Sequence, residues 1–170
     1  MLVTEFKDFK INLLGKKSIN RGRILALDVG TKRIGVAICD DSQTIATPKT
    51  IINRLSNKKD FESILQILQD TKAIAIVIGY PINLDDSNSA MAEFVKRFAQ
   101  NLEQFLQDNL QNSTIKNEID IFLFDERYSS FIARSLNHQS FSNSRKKFLD
   151  DVASSIILEH FLQNLHQSLD

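Results

Sequence analysis

Asp28, the pair Asp125-Glu126 and Asp150 are the residues of this chain best placed to do chemistry, because each stands where an apolar pattern ends or begins. Asp28 closes the run ILALD, Asp125 and Glu126 follow the run 119–124, and Asp150 opens the last helical pattern. Carboxylates are hard oxygen donors that suit Mg²⁺ or Mn²⁺. Two such ions about 3.5–4 Å apart meet both needs of phosphodiester hydrolysis, a hydroxide and a stabilised leaving oxygen. Each acid also has a plainer role. Asp28 can cap a turn before Gly30, while Asp150 and Asp151 can act as favourable charges at a helix N-terminus, worth about 1 kcal/mol or less. Neighbours on an extended strand point to opposite faces, and the strand ends near Asp125, so Glu126 is preferred and Asp125 stays a close second.

Basic residues flank the same positions. Lys32 and Arg33 lie in the turn after Asp28, and Arg145, Lys146 and Lys147 precede Asp150, which makes all five candidate phosphate contacts. The competing role for three adjacent cations is a solvated face. Arg127 suits either a bidentate phosphate contact or a pair with a neighbouring acid. Tyr80 is a candidate for stacking on a base, or fills a pocket beside its loop. Ser129 and Ser130 read as helix caps, and His138, His160 and His166 as surface or helix-edge residues, so a serine-hydrolase arrangement is not supported. Cys39 reads as a small buried strand residue.

The elements that must position these residues follow from periodicity. Runs 24–28 and 34–39 around the turn 29–33 predict a hairpin, and 44–52 predicts a third antiparallel strand. Phe61, Ile64, Leu65 and Leu68 fall at i, i+3, i+4 and i+7, an amphipathic helix with Ser56 or Asn57 as N-cap. The run AIAIVI at 73–78 reads as a central strand covered on both faces, followed by a loop at Gly79-Tyr80-Pro81. A long helix through 91–106, a last strand at 119–124, and helices about 128–137 and 150–167 complete a β-β-β-α-β-α-β-α-α order. That order predicts a mixed α/β sheet with helices on both faces and a site where strands end and connections diverge. Residues 1–22 form an N-terminal extension with some core potential in Phe6, Phe9, Ile11, Leu13 and Leu14, ahead of a single domain over 23–170.

Composition narrows the classes. Lys+Arg and Asp+Glu balance at 21 each, so nucleic-acid affinity has to come from local clustering of charge. One cysteine forms no intramolecular disulfide and fits a reducing, cytoplasmic setting. No apolar run approaches the roughly 20 residues of a membrane span, and charges at Glu5, Lys7, Asp8 and Lys10 interrupt the N-terminal stretch, unlike a secretory signal.

Between residues 24 and 162 the motifs LALDVGTKRIGVAI, VIGYPINLD, Ser89-Ala90, FDERYSS and RKKFLDDVASSIIL occur in an order that resembles the YqgF-type family. These are the pre-16S ribosomal RNA nucleases, also called Holliday-junction-resolvase-like proteins. The resemblance implies a ribonuclease H-like fold with a five-stranded mixed sheet, three antiparallel strands and then two parallel ones. It also implies a metal-dependent phosphodiesterase that uses Mg²⁺ or Mn²⁺ and processes the 5′ end of precursor 16S ribosomal RNA in ribosome biogenesis, with branched DNA as the other substrate class. In that scheme Asp28 is the first-strand acid, Glu126 or Asp125 the acid after the last strand, and Asp150 the helix acid. Three features depart from the family pattern: the N-terminal arm, Tyr80 before the proline, and Asp151 where a basic residue is usual.

Other classes compete. Asp28-Val29-Gly30-Thr31 is similar to the phosphate-binding turn of actin-like ATPases, but 170 residues leave no room for the second lobe such enzymes close over a nucleotide. A binder of nucleic acid without turnover, acting in ribosomal RNA maturation or transcription, is the stronger rival, and metal-dependent cleavage separates the two. A junction resolvase requires paired sites on a two-fold dimer, whereas no helix face is visibly reserved for dimerisation and a monomer is expected.

Overall fold

Alternation along the strands assigns the two faces of the sheet, and each face carries its own core. The computed structural model describes residues 1–3, 5–15, 22–81, 89–110, 119–125 and 143–167, the side chains of 14, 15, 110 and 143–151 excepted. Strands β2 (Ile24–Val29), β3 (Arg33–Cys39) and β4 (Ala46–Asn53) form an antiparallel meander, while β5 (Ala75–Tyr80) and β6 (Asp120–Asp125) run parallel to β2. Leu25, Leu27, Ile34, Val36, Ile76, Ile78 and Ile121 pack on one face, under helices α2 (Asn57–Thr71) and α3 (Ala90–Leu110). Ile24, Ala26, Ala37, Cys39, Ala75, Val77, Phe122 and Phe124 pack on the other, under α1 (Phe6–Gly15) and α4 (Asn143–Gln167). The alanines on that second face let α4 lie close across β2, β3 and β4.

Among the described residues the sheet has six strands rather than the five expected. The added one is β1 (Leu2–Val3), which pairs in parallel with the edge of β6 to give the order β1-β6-β5-β2-β3-β4. Two residues are too few to display a period of two, so this strand is invisible in the sequence. Its ties are long-range: the Ile121 amide donates to the Met1 carbonyl at 2.9 Å and the Leu2 amide to Glu103 Oε1 at 2.7 Å. Helix α1 then packs Phe9 and Leu13, both fully buried, against the second face, with Phe9 5.2 Å from Phe122 and 5.7 Å from Phe161 between ring centroids. The partners that the arm's apolar residues lacked in the sequence are therefore Phe122 of β6 and Phe161 of α4.

Three boundaries also differ. Strand β5 continues through Gly79 and Tyr80, because the parallel ladder pairs Gly79 with Phe124 and Tyr80 with Asp125. Arg33 opens β3 rather than lying in the turn. Helix α4 begins at Asn143, seven residues before the apolar periodicity becomes legible, because NSRKKFL is mostly polar. Ser56 is the N-cap of α2, its hydroxyl accepting from the Lys59 amide at 3.4 Å. The expected helix about 128–137 lies outside the described residues.

Candidate functional site

The centre of the sheet brings Asp28 to the carboxyl end of β2, on the face that α4 covers. Asp28 pairs with Gly35 and Gly35 with Ile51, so the three form a row across β2, β3 and β4. Above that row lies a cavity of about 220 Å³ lined by Asp28, Gly30, Thr31, Lys32, Arg33, Gly35 and Ile51. The turn that walls it is closed by the Gly30 amide donating to the Arg33 carbonyl at 2.9 Å. Thr31, Lys32 and Arg33 are exposed, while Asp28 is half-buried. Apolar neighbours along β2 and a missing side chain at Gly35 thus put one carboxylate at the base of an open, cation-rimmed cavity.

At Gly35 the sheet and α4 approach each other closely. A Cβ built there would stand 3.3 Å from Ser154 Oγ and 3.5 Å from Asp28 Cβ. Ser154 is fully buried, and its hydroxyl has no hydrogen-bond partner among the described residues. An orphaned hydroxyl beside a carboxylate is a place where a bound water or ion would complete the hydrogen bonding. Asp150 lies one helical turn before Ser154. Because α4 starts at Asn143, Asp150 stands two turns inside the helix, beyond the first turn where a terminal charge is stabilised by the helix dipole. The plainer role open to Asp150 in the sequence therefore loses its physical basis.

The other expected site residues divide by face and by element. Asp125 ends β6 one residue after Phe124, which belongs to the α4-side core, and alternation turns Asp125 toward the opposite face. Its ladder neighbour Tyr80 packs against the α2/α3 core, and burial, then the charge of Glu93, push the Tyr80 hydroxyl pKa up. Glu126 and Arg127 lie outside the described residues, as do the side chains of Arg145, Lys146, Lys147 and Asp150. Among the described residues no group of three or more His, Cys, Asp or Glu could hold a metal ion. Asp28, with oxygen donors only, is compatible with Mg²⁺ or Mn²⁺ and brings one ligand of the several required.

One expectation changes away from the cavity. His160 is buried within α4 rather than a surface residue, and His166 meets the Gln43 carbonyl at 2.8 Å. Cys39 is buried as expected and accepts from the Ile24 amide at 3.1 Å, and burial pushes its thiol pKa up to about 11. The residues that sequence reasoning missed are Ser154 and Arg54. Spacing offered a signal for Ser154, four positions after Asp150. No local pattern marks Arg54, whose partners come from three separate elements.

Comparison with known proteins adds a family. The model of the family described as "RuvX: Holliday junction resolvase" matches residues 22–164. A protein of Sulfurihydrogenibium sp. named "Putative pre-16S rRNA nuclease" is 34% identical over 143 residues, 84% of this chain and 91% of its own length. A protein of the same name from Thermoanaerobacter pseudethanolicus is 37% identical over 145 residues, covering 84% and 96%. One from Pelagibacter ubique is 33% identical over 163 residues, covering 93% and 97%. Among solved structures, T. thermophilus RuvC in complex with Holliday junction substrate superposes with a TM-score of 0.52 at 6% identity, over 88% of this chain and 96% of that one, a likeness of fold.

Proposed function

The chain belongs to the RuvX family, described as Holliday junction resolvase, and from that membership we propose that it is a divalent-metal-dependent nuclease that processes the 5′ end of precursor 16S ribosomal RNA. The observation that carries this reading is the cavity in which Asp28, at the end of the central strand, is rimmed by Lys32 and Arg33. A carboxylate beneath cations suits a phosphodiester backbone, because the cations would meet its phosphates and the carboxylate would offer oxygen to a divalent metal.

In this reading Asp28, Glu126 and Asp150 hold Mg²⁺ or Mn²⁺, which when bound stabilises the attacking and leaving oxygens of the phosphodiester. Support for Asp150 comes from α4, where residues 154, 157, 161 and 165 form the stripe buried against the sheet and position 150 continues it by one turn. Support for Glu126 over Asp125 comes from the outward alternation of Asp125, with Asp125 kept as the alternative ligand. Lys32, Arg33, Arg127 and Arg145 through Lys147 hold the backbone of the nucleic acid, and Tyr80 offers a ring to a base. The protein acts in the cytoplasm as a monomer. Among the described residues no helix is long and apolar enough to cross a membrane.

The family description favours a second reading, cleavage of four-way DNA junctions. One experiment separates them: a labelled RNA with a precursor 16S 5′ leader and a four-way DNA junction are each incubated with wild-type or Asp28→Asn protein in Mn²⁺, Mg²⁺ or EDTA. RNA cleavage that needs metal and is lost in the variant supports the first reading. Cleavage of the junction alone supports the second. Salt-sensitive RNA binding without any cutting overturns both in favour of a non-catalytic binder.

A further inference from the structure

We propose that Arg54 is a positioning residue that holds the turn carrying Lys32, and with it Arg33 at the start of β3, in place for phosphate. Arg54 follows β4 and does not line the cavity, yet its guanidinium reaches the turn: Nη1 donates to the Gly30 carbonyl at 3.1 Å. Its own amide donates to the Lys32 carbonyl at 2.9 Å. Two carbonyls of the turn are thereby engaged by one residue, which fixes the backbone that bears Lys32.

The clamp is itself held rigidly. Nε donates to Asp60 Oδ2 at 2.9 Å, Nη2 to Asn57 Oδ1 at 2.9 Å, and the guanidinium lies over the rings of Phe94 and Phe98, 5.1 and 5.2 Å from their centroids. Asp60 is 1% exposed, and its other oxygen accepts from the Leu55 amide at 3.1 Å. A planar fork that donates in three directions while stacked on two rings is a task for arginine that a lysine ammonium cannot repeat. Asp60 sets the fork, and the fork sets the turn.

This inference rests on the reading that the turn touches phosphate, so its test measures that as well. Arg54→Lys keeps the charge and the partner of Asp60 but gives up the reach to Gly30. Binding of the labelled leader RNA and of a DNA duplex is measured in EDTA against KCl concentration for wild type, Arg54→Lys, Lys32→Ala and the double variant. Each lost duplex phosphate contact lowers the log–log salt slope by about 0.9, and about 0.7 for single strands. Arg54→Lys should lower the slope toward that of Lys32→Ala, and the double variant should fall no further. A purely structural role would lower the melting temperature and leave the slope alone, because formal charge is unchanged. A normal slope in Arg54→Lys with a reduced one in Lys32→Ala overturns the clamp. A normal slope in Lys32→Ala overturns the phosphate reading of the turn, and the clamp with it. If Arg54→Lys does not stay folded, Asn57→Ala replaces it with the same expected outcomes, since it removes the acceptor of Nη2 and leaves the formal charge unchanged.

Discussion

Replacing Gly35 by alanine tests whether the contact between the sheet and α4 governs the site. The backbone of Gly35 is not in the left-handed region, so an added methyl meets no conformational barrier. Its cost comes from Ser154 Oγ at 3.3 Å, which must give by a few tenths of an ångström, whereas Asp28 Cβ at 3.5 Å is in ordinary contact. Overpacking of this kind costs about 1–3 kcal/mol, and loss of glycine freedom in the unfolded chain returns about 0.4–1 kcal/mol. The net loss is then about 1 kcal/mol, a fall of about 2–4 °C in melting temperature for a chain of this length. In a Ser154→Ala background the close atom is gone, and only the unfolded-state gain remains, so the same substitution should raise the melting temperature by roughly 1–3 °C. Turnover should fall about tenfold in Gly35→Ala alone, since a shift of α4 moves the turn bearing Asp150, and misplacements near 1 Å cost roughly a hundredfold. The assays are thermal unfolding and metal-dependent cleavage on the four proteins of the cycle. Equal shifts of melting temperature in both backgrounds would refute the reasoning.

Asp28→Asn should keep the unfolding free energy within about 1 kcal/mol of wild type, because Asp28 is half-buried at a cavity, while cleavage falls to background; retained cleavage removes Asp28 from the mechanism. Phe9→Ala should cost about 3–5 kcal/mol, as Phe9 is fully buried between Phe122 and Phe161, and denaturant unfolding should show it. A loss below 1 kcal/mol would mean that the N-terminal arm does not dock as described. The thiol of Cys39 has its pKa raised in the folded state, so its contribution is fully present below pH 9.0 and is lost as pH rises toward about 11. Ultraviolet titration of the folded protein should show no thiolate near pH 9, and its appearance there would contradict the burial.

The order of the central elements was legible in the sequence because burial repeats at two residues in a strand and 3.6 in a helix. AIAIVI, ILALD and the spacing of Phe61, Ile64 and Leu68 each report such burial directly, and all these helix positions are buried in α2. The same patterns placed Asp28 at a strand end, since a carboxylate closing an apolar run has only the rim of the core to occupy. What depends on packing between distant segments was not legible. β1 is a two-residue edge strand defined wholly by its partner β6, and α1 acquires a core only when Phe122 and Phe161 arrive from chain-distant elements. Which face Asp125 takes follows only from Phe124 entering the α4-side core, a packing fact that no local pattern carries. Arg54 lacks any local signature, because its role is the sum of hydrogen bonds to Gly30, Asn57 and Asp60 and stacking on Phe94 and Phe98. Periodicity records how each segment meets a core, whereas which segments meet one another is decided only when the chain closes on itself.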